Sequence, residues 1–490
     1  MLTSTLIGFP FIVAIIILLA PKVWAKWIAL VGTLLEFGLA LLAFQYAHVN
    51  PADPSLMTDV VWIQSVGIHY KVWLDGISLV LVLLTSLLLP IIVYSTFGRE
   101  ITNGKAFYAL VLIMQAALIG VFAATDGFLF YIFWEMALIP IYFICLLWGG
   151  ENRSRITFKF FIYTTLGSLF MLLSLIFLYL QTPDRSFDVY SLYEAGRNLS
   201  LDTQLWVFAG IFLAFAIKMP LIPFHTWQPD TYYTSPTPGT MLLSGIMLKM
   251  GTYGLIRWLV PVVPAACQYL APYLVGLSIA SVIYGSFMAI AQKDYKRLIG
   301  YSSIAHVGLI SAGIFSLTIQ GMQGGLYQML SHGIYVVGLF FVAEIIFTRT
   351  GTWNMEKLGG IRSVAPKFAL AFLIILLGSV ALPLTNGFVG EFLLINGIFQ
   401  YNAWMAGVAG LTIIFGAVYM LRAYQAICLG EESELSPIFS DLTRQEWIVL
   451  WVICILIIGL GIFPQPLLDM AAPALQSLLE SIQPTTNQIF

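Results

Sequence analysis

Charge is what this chain of 490 residues has least of. Only 9% of its residues are Asp, Glu, Lys or Arg, 60% are hydrophobic, and the mean hydropathy is +0.91. Soluble domains carry about 25% charged residues, and too little polar surface remains here to cover a soluble core. The composition therefore predicts an integral membrane protein. A net charge of −2 leaves no basic footprint for nucleic acid. Cysteine is scarce as well. Cys145, Cys267, Cys428 and Cys454 stand far apart without CxxC or metal-like spacing, which speaks against iron–sulfur ligation, a metal site and a disulfide framework. There are five histidines, of which His48 and His69 fall in the first long loop, and no CxxCH, so a bis-histidine haem is disfavoured. No Walker A motif and no GxGxxG opening a helix is present, so no nucleotide site is expected in this chain. The first residues, "MLTSTLIGFPFIVAIIILLAP", lack the basic start of a cleaved signal and read as a first membrane span.

What the chain has in abundance is apolar runs of membrane-spanning length, about fourteen of them. Two are interrupted. The seventh, "FAIKMPLIPFH", holds Lys218, Pro220 and Pro223, and the twelfth, "ALPLTNGFVGEF", holds Pro383, Gly387 and Gly390. A break in lipid needs protein or water around it to satisfy the freed backbone groups. Most Lys and Arg, from Lys22 and Lys26 through Arg153 and Arg155 to Arg422 and Arg444, fall on one side of the predicted topology. Lys71, Arg185, Arg197 and Arg257 fall on the other. By the positive-inside rule both termini lie on the outer side. An internal repeat is also legible: "KMPL" falls against "ALPL", "YTTLGS" against "YQMLSH", and "LIR" against "MLR", all at nearly one offset. Five spans per copy, an odd number, make the second copy inverted. The expected architecture is an all-α membrane protein of about fourteen transmembrane helices, with two inverted five-helix repeats and discontinuous helices 7 and 12. Its parts are 1–106 (spans 1–3), 107–260 (first repeat, spans 4–8), 261–430 (second repeat, spans 9–13) and 431–490 (span 14 and a tail).

An ionisable side chain at mid-membrane costs roughly 2.5–3.5 kcal/mol on insertion scales, so each one is a functional candidate. Here they are Glu135, Lys218, Lys249 and Glu391, joined by His306 and His332. Burial disfavours a lysine's charged form and a nearby carboxylate restores it, so Lys218 beside a hydrated break suits a proton carrier tuned by Glu135. Histidine titrates nearest neutrality and suits intermediate steps. Set against this stand a static Glu135–Lys218 ion pair, a snorkelling Lys249, and histidines that only bond helix to helix. Asp75 and Asp126 read as helix-start carboxylates. The run "QKDYKRLIGYSS" (292–303) reads as orientation charge and solvated surface.

The stretches "WEMALIPIYFICLLWGG", "KMPLIPFHTWQPD", "GIMLKMGTYGLIRW", "YSSIAHVGLISAG", "QMLSHGI" and "NGFVGEF" resemble, in order and over nearly the whole chain, the antiporter-like subunits of respiratory complex I. Glu391 where relatives carry lysine, and the absence of a lateral helix after the last span, are similar to the branch called subunit M, or D in cyanobacterial and plastid enzymes. The resemblance implies a proton-translocating subunit of an NADH:quinone oxidoreductase. Lys218 would be the central carrier tuned by Glu135, and Lys249 the link toward the inner entry. His306 and His332 would stand between the halves, Glu391 toward the outer exit, and His225 near the inner mouth. It also implies antiporter-like subunits L and N as neighbours, no cofactor in this chain, FMN, iron–sulfur clusters and quinone in partner subunits, and a bacterial plasma membrane. An Mrp-like cation/proton antiporter subunit and a membrane subunit of a hydrogenase-type complex are the alternatives. The double proline of "MPLIP" departs from the family pattern at the break.

Overall fold

The computed structural model describes residues 1–482. The chain opens with α1 (Leu2–Leu19) and α2 (Ala25–Val49), followed by an antiparallel hairpin of β1 (Met57–Ile63) and β2 (Ile68–Trp73). Next come α3 (Gly76–Ser95), α4 (Gly104–Ala123), α5 (Gly127–Trp148) and α6 (Arg153–Gln181), then the short α7 (Val189–Arg197) and α8 (Leu201–Lys218). After α9 (Gln228–Thr234) one irregular helical segment joins α10 (Thr237–Leu242), a π turn at Leu243–Met247, α11 (Lys249–Gly254) and a second π turn at Leu255–Leu259. The rest comprises α12 (Pro264–Ile290), α13 (Tyr295–Phe315), α14 (Ile319–Thr350), α15 (Ile361–Val364), α16 (Pro366–Ser379), α17 (Asn386–Tyr401), α18 (Ala403–Cys428), α19 (Arg444–Ile462) and α20 (Gln465–Ile482).

Twelve helices among the described residues are long and apolar enough to cross a membrane. Two further apolar stretches fall short because they are irregular: Thr237–Leu259, with its two π turns, and the pair α16–α17, interrupted between Ser379 and Asn386. These stand where the sequence places spans eight and twelve. Taking them as spans belongs to the reading proposed below.

Lipid offers no hydrophobic drive for helices to associate, so close van der Waals packing has to supply it. The side of α2 that faces protein is built accordingly from Ala25, Ala29, Gly32, Ala40, Ala43 and Ala47, while Leu34, Leu35, Leu41 and Leu42 are exposed. Helices α12 and α13 touch backbone to backbone: a Cβ on Gly308 would stand 2.7 Å from the Ser278 carbonyl oxygen, and one on Gly285 2.8 Å from the Ala305 nitrogen. Helices α3, α4, α13 and α14 are buried around nearly their whole circumference and form the centre, with α1, α2, α6, α18 and α19 at the lipid-facing periphery.

The hairpin marks one end of the molecule. Lys71 on β2 pairs with Asp188 and lies 3.8 Å from Asp59. Partial burial opposes its charge, but Asp188 and Asp59 outweigh that and hold the ammonium above the ordinary lysine range. Asp126 caps α5 through the Phe128 and Leu129 amides, and Asp75 caps α3 through the Ser78 amide at 2.9 Å, as helix-start carboxylates do. Asp75 has a second role that its sequence position did not announce. It pairs with Arg257, and both side chains are only 8% exposed. Arg257, counted from sequence among loop charges, is thus drawn inside by a partner. Removing either member leaves a buried charge alone, which costs about 3–5 kcal/mol. Asp75→Ala and Arg257→Leu should each lower the melting temperature of the extracted protein clearly, and the double variant should lose less than the two combined. Additive losses would show that the pair is not coupled. The tail also holds an unforeseen element. Helix α20 packs across this end with Ala471, Leu475, Leu478, Leu479 and Ile482 buried, and Arg197 donates to Ser481 at 3.0 Å. The remainder of the predicted tail, 483–490, lies outside the described residues.

Candidate functional site: a buried polar axis between two broken helices

Helix α8 stops at Lys218. Met219 leaves helical geometry (φ −91°, ψ 20°), and the Leu221 amide reaches back to the Ala216 carbonyl at 2.9 Å. The chain then crosses to Trp227, whose indole donates to the Ile217 carbonyl at 2.9 Å, while the Ile222 amide donates to Ser281 Oγ at 3.1 Å. These contacts satisfy backbone groups that the break would otherwise strand in lipid. Gly251 allows the neighbouring segment to press on the break, since a Cβ there would stand 2.8 Å from the Phe215 oxygen and 3.0 Å from the Met219 nitrogen.

Lys218 is 3% exposed, its ammonium has no hydrogen-bond partner, and it lies 5.3 Å from the centre of the Trp134 ring. Glu135, on α5 beside Trp134, is the charge that faces it, with Ser168 alongside the carboxylate. The two are brought together but do not close into an ion pair or hydrogen bond; Glu135 Oε1 is buried without a partner. His225 sits past the break, its Nε2 3.2 Å from the Tyr284 hydroxyl on α12.

From Lys249 onward the candidates meet directly. Lys249 is wholly buried, and its Nζ lies 2.6 Å from the Ser244 carbonyl oxygen, to which it donates, and 2.7 Å from His332 Nδ1. The His332 and His306 rings are centred 5.8 Å apart, with Tyr335 packed edge-on against both. His306 Nδ1 is 3.1 Å from Glu391 Oε1, at an angle that does not make a hydrogen bond. Gln328 Nε2 bridges the end of the line, 3.4 Å from both the Tyr335 hydroxyl and Glu391 Oε1.

The second break delivers Glu391. Between α16 and α17, Ala381 and Leu384 hold left-handed backbone at φ 56° and 74°. Such strain costs roughly 1–3 kcal/mol per residue and persists only where surrounding packing imposes it. The sequence marked this place by Pro383, Gly387 and Gly390, yet the strain falls on two residues that are not glycine. Gly390 has a packing role instead: a Cβ there would stand 3.0 Å from Gln328 Cα, so α17 lies against α14 and sets Glu391 beside Gln328.

Three neutral polar residues in or near the axis, and one carboxylate apart from it on α2, escaped the search for charges. Gln328 and Tyr335 are neutral polar groups on a largely apolar helix, and Asn386, fully buried with both amide atoms unpartnered, starts α17. Glu36 on α2 is wholly buried with neither oxygen bonded; a charge at mid-span in the second apolar run was the available signal. Lys296 corrects an expectation. It is not solvated orientation charge but 2% exposed, donating to the Tyr233 and Ser235 carbonyls at 3.0 and 2.9 Å and lying 4.7 Å from the Trp353 ring centre. Asp294 caps α13 through the Arg297 amide, which turns Lys296 toward the carbonyl end of α9.

A helical membrane protein with ionisable side chains strung between two interrupted helices is built as the antiporter-like membrane subunits are. Residues 124–416 match the family model for the transmembrane region of NADH:quinone oxidoreductase and Mrp antiporters, and the chain belongs to that family. In sequence it is 39% identical over 459 residues to NADH-quinone oxidoreductase subunit M of Rickettsia conorii, covering 93% of this chain and 92% of that protein. In structure it matches a chain of respiratory complex I from Thermus thermophilus with a TM-score of 0.90 at 30% identity, covering 99% of this chain and 100% of that one. A chain of the Mrp complex from Dietzia sp. DQ12-45-1b matches with a TM-score of 0.84 at 20% identity, covering 98% and 99%, a likeness of fold alone.

Proposed function

We propose that this chain is the subunit M component of an NADH:quinone oxidoreductase and translocates protons along Glu135, Lys218, Lys249, His332, His306 and Glu391, with His225 beside the first break. The observation that carries this reading is the succession from Lys249 to Glu391, in which each ionisable group lies against the next across four helices, the last of them entered through the second break. Lys249 Nζ and His332 Nδ1 at 2.7 Å share one proton, since two cations at that separation repel strongly. Passing it to His332 leaves a neutral amine, ready to be reloaded. The His306 ring and the Glu391 carboxylate offer successive sites beyond. At the other end Lys218, without a bonded partner, responds to any movement of Glu135. The gaps between Glu135, Lys218 and Lys249 lie beside the break, where an entering water or a small displacement would complete the connection.

In this reading 107–260 and 261–430 are inverted copies, each contributing a broken helix and an ionisable group beside it, and there are fourteen spans. Lysine and arginine crowd the end opposite the hairpin, which makes the hairpin end and both termini outer. The chain supplies the proton path, while flavin, iron–sulfur clusters and quinone belong to partner subunits, with subunits L and N as membrane neighbours in a bacterial plasma membrane. Higher identity to subunit M than to the Mrp chain supports this over the antiporter alternative. The test is to tag the chain, extract it in mild detergent and assay NADH oxidation with a quinone acceptor. Flavin, iron–sulfur signals and that activity should travel with it. Co-purification with other membrane subunits alone, free of redox activity, would replace this reading with the antiporter one.

A further inference from the structure

Glu135 is not the only side chain of α5 turned toward Lys218. Trp134, one residue earlier, is 2% exposed, and the Lys218 ammonium stands over its ring, 5.3 Å from the centre. Among the described residues that ammonium has no hydrogen-bond partner. The ring itself is tightly held. Phe130 and Phe215 pack against it with centres 5.6 and 5.5 Å away, and Trp258 stacks on Phe130 at 4.6 Å. Phe215 precedes Lys218 by three residues and so shares its face of α8. A Cβ on Gly254 in α11 would stand 2.5 Å from Phe215 Cζ, so the segment that carries Lys249 presses on the same cluster. Phe130, Phe215 and Trp258 are all buried. The Trp134 ring cannot swing away from the ammonium without repacking its neighbours.

Four buried aromatic side chains in contact are, by themselves, ordinary core packing. Packing does not explain why an ammonium is set over one of them. A charge in the membrane interior is costly. The electron-rich face of an aromatic ring attracts a cation, tryptophan most strongly, and more so where water is excluded. Consecutive residues on a helix point about 100° apart. The Glu135 carboxylate and the Trp134 face are therefore two separate places around one flexible four-carbon stem.

We propose that the Trp134 ring is a positioning group, the resting place of the Lys218 ammonium when it parts from Glu135, a proposal that rests on Lys218 being the carrier of the relay. Parting from a carboxylate in a low-dielectric site favours leaving the proton behind, which returns it to Glu135 instead of passing it onward. Over the ring the nitrogen keeps its proton, Glu135 is left as a carboxylate, and the next acceptor receives the proton from Lys218.

The test uses the whole complex in inverted membrane vesicles, with NADH-driven proton uptake as the readout. Trp134→Leu should slow uptake about tenfold, the size of a cation–aromatic contact away from water. Trp134→Phe, with a weaker face, should keep an intermediate rate. A second series places tryptophans bearing one, two and four ring fluorines at position 134 alone. Fluorine changes the shape of the ring little but withdraws the electron density that attracts a cation, so uptake should fall with each addition. A ring needed only for packing gives a flat series. A flat series, or full uptake in Trp134→Leu, beside a dead Lys218→Ala, would overturn the resting place and leave the relay standing. Full uptake in Lys218→Ala would overturn the relay, and the resting place with it. If Trp134→Leu fails to assemble, the fluorinated proteins, which keep the shape, decide alone.

Discussion

Lys218→Ala should abolish proton translocation while the complex still assembles, a loss of about a hundredfold or more, in the range that a positioned proton-transfer group contributes. The structure makes this separation of function from stability unusually clean. Lys218 makes no hydrogen bond, so removing it leaves no partner unsatisfied. What is lost is a cation–aromatic contact with Trp134, worth about 0.5–2 kcal/mol. What is relieved is the cost of a buried ammonium without a bonded counter-charge. The variant should therefore extract with its partners, retain a near-normal melting temperature, and fail to acidify the outer side when NADH is supplied. Lys218→Met, which preserves the volume, should behave the same way. A normal ratio of protons to electrons in either variant would remove Lys218 from the relay.

Glu391→Gln is expected to produce a loss of similar size for a different reason. The side chain keeps its shape, and Gln328 still finds an oxygen to donate to. Packing of Gly390 against Gln328 is untouched. What disappears is the carboxylate 3.1 Å from His306 that the proposed relay uses as its next proton acceptor. Uptake should fall at least about tenfold with no change in melting temperature. Glu391→Asp keeps the acid but draws it back by one methylene, and should retain part of the rate. Glu391→Ala also leaves a cavity and strands Gln328, so it should lose stability as well, by about 1–3 kcal/mol for the unsatisfied amide. Wild-type pumping in Glu391→Gln would take the carboxylate out of the path. A drop in stability equal to that of Glu391→Ala would assign it a structural role instead.

Much of this was legible before any coordinates. A charge in lipid is costly enough that Lys218, Lys249, Glu135 and Glu391 stood out against an apolar background, and proline or glycine beside two of them marked the breaks. The neutral groups beside the axis were not legible, because Gln328 and Tyr335 occur in membrane helices for ordinary packing reasons and carry no such cost. Burial of Lys296 and Arg257 was missed for another reason. Both sit at span ends, where sequence cannot distinguish a solvated cation from one turned inward by a carboxylate or a row of carbonyls.

Sequence by itself determined that the chain lies in a membrane, where its helices break, and which side chains are too expensive to be there by accident. Each follows from composition and local chemistry, which neighbours in space do not alter. Tertiary structure alone decided which of those side chains touch. Lys249 meets His332 from a helix 83 residues away in the chain, and His306 meets Glu391 across a strained break. It also decided that Lys218 and Glu135 face each other without pairing. Those distances are set by how closely glycines such as Gly251 and Gly390 let backbones approach, and that is a property of packed helices together rather than of any one of them.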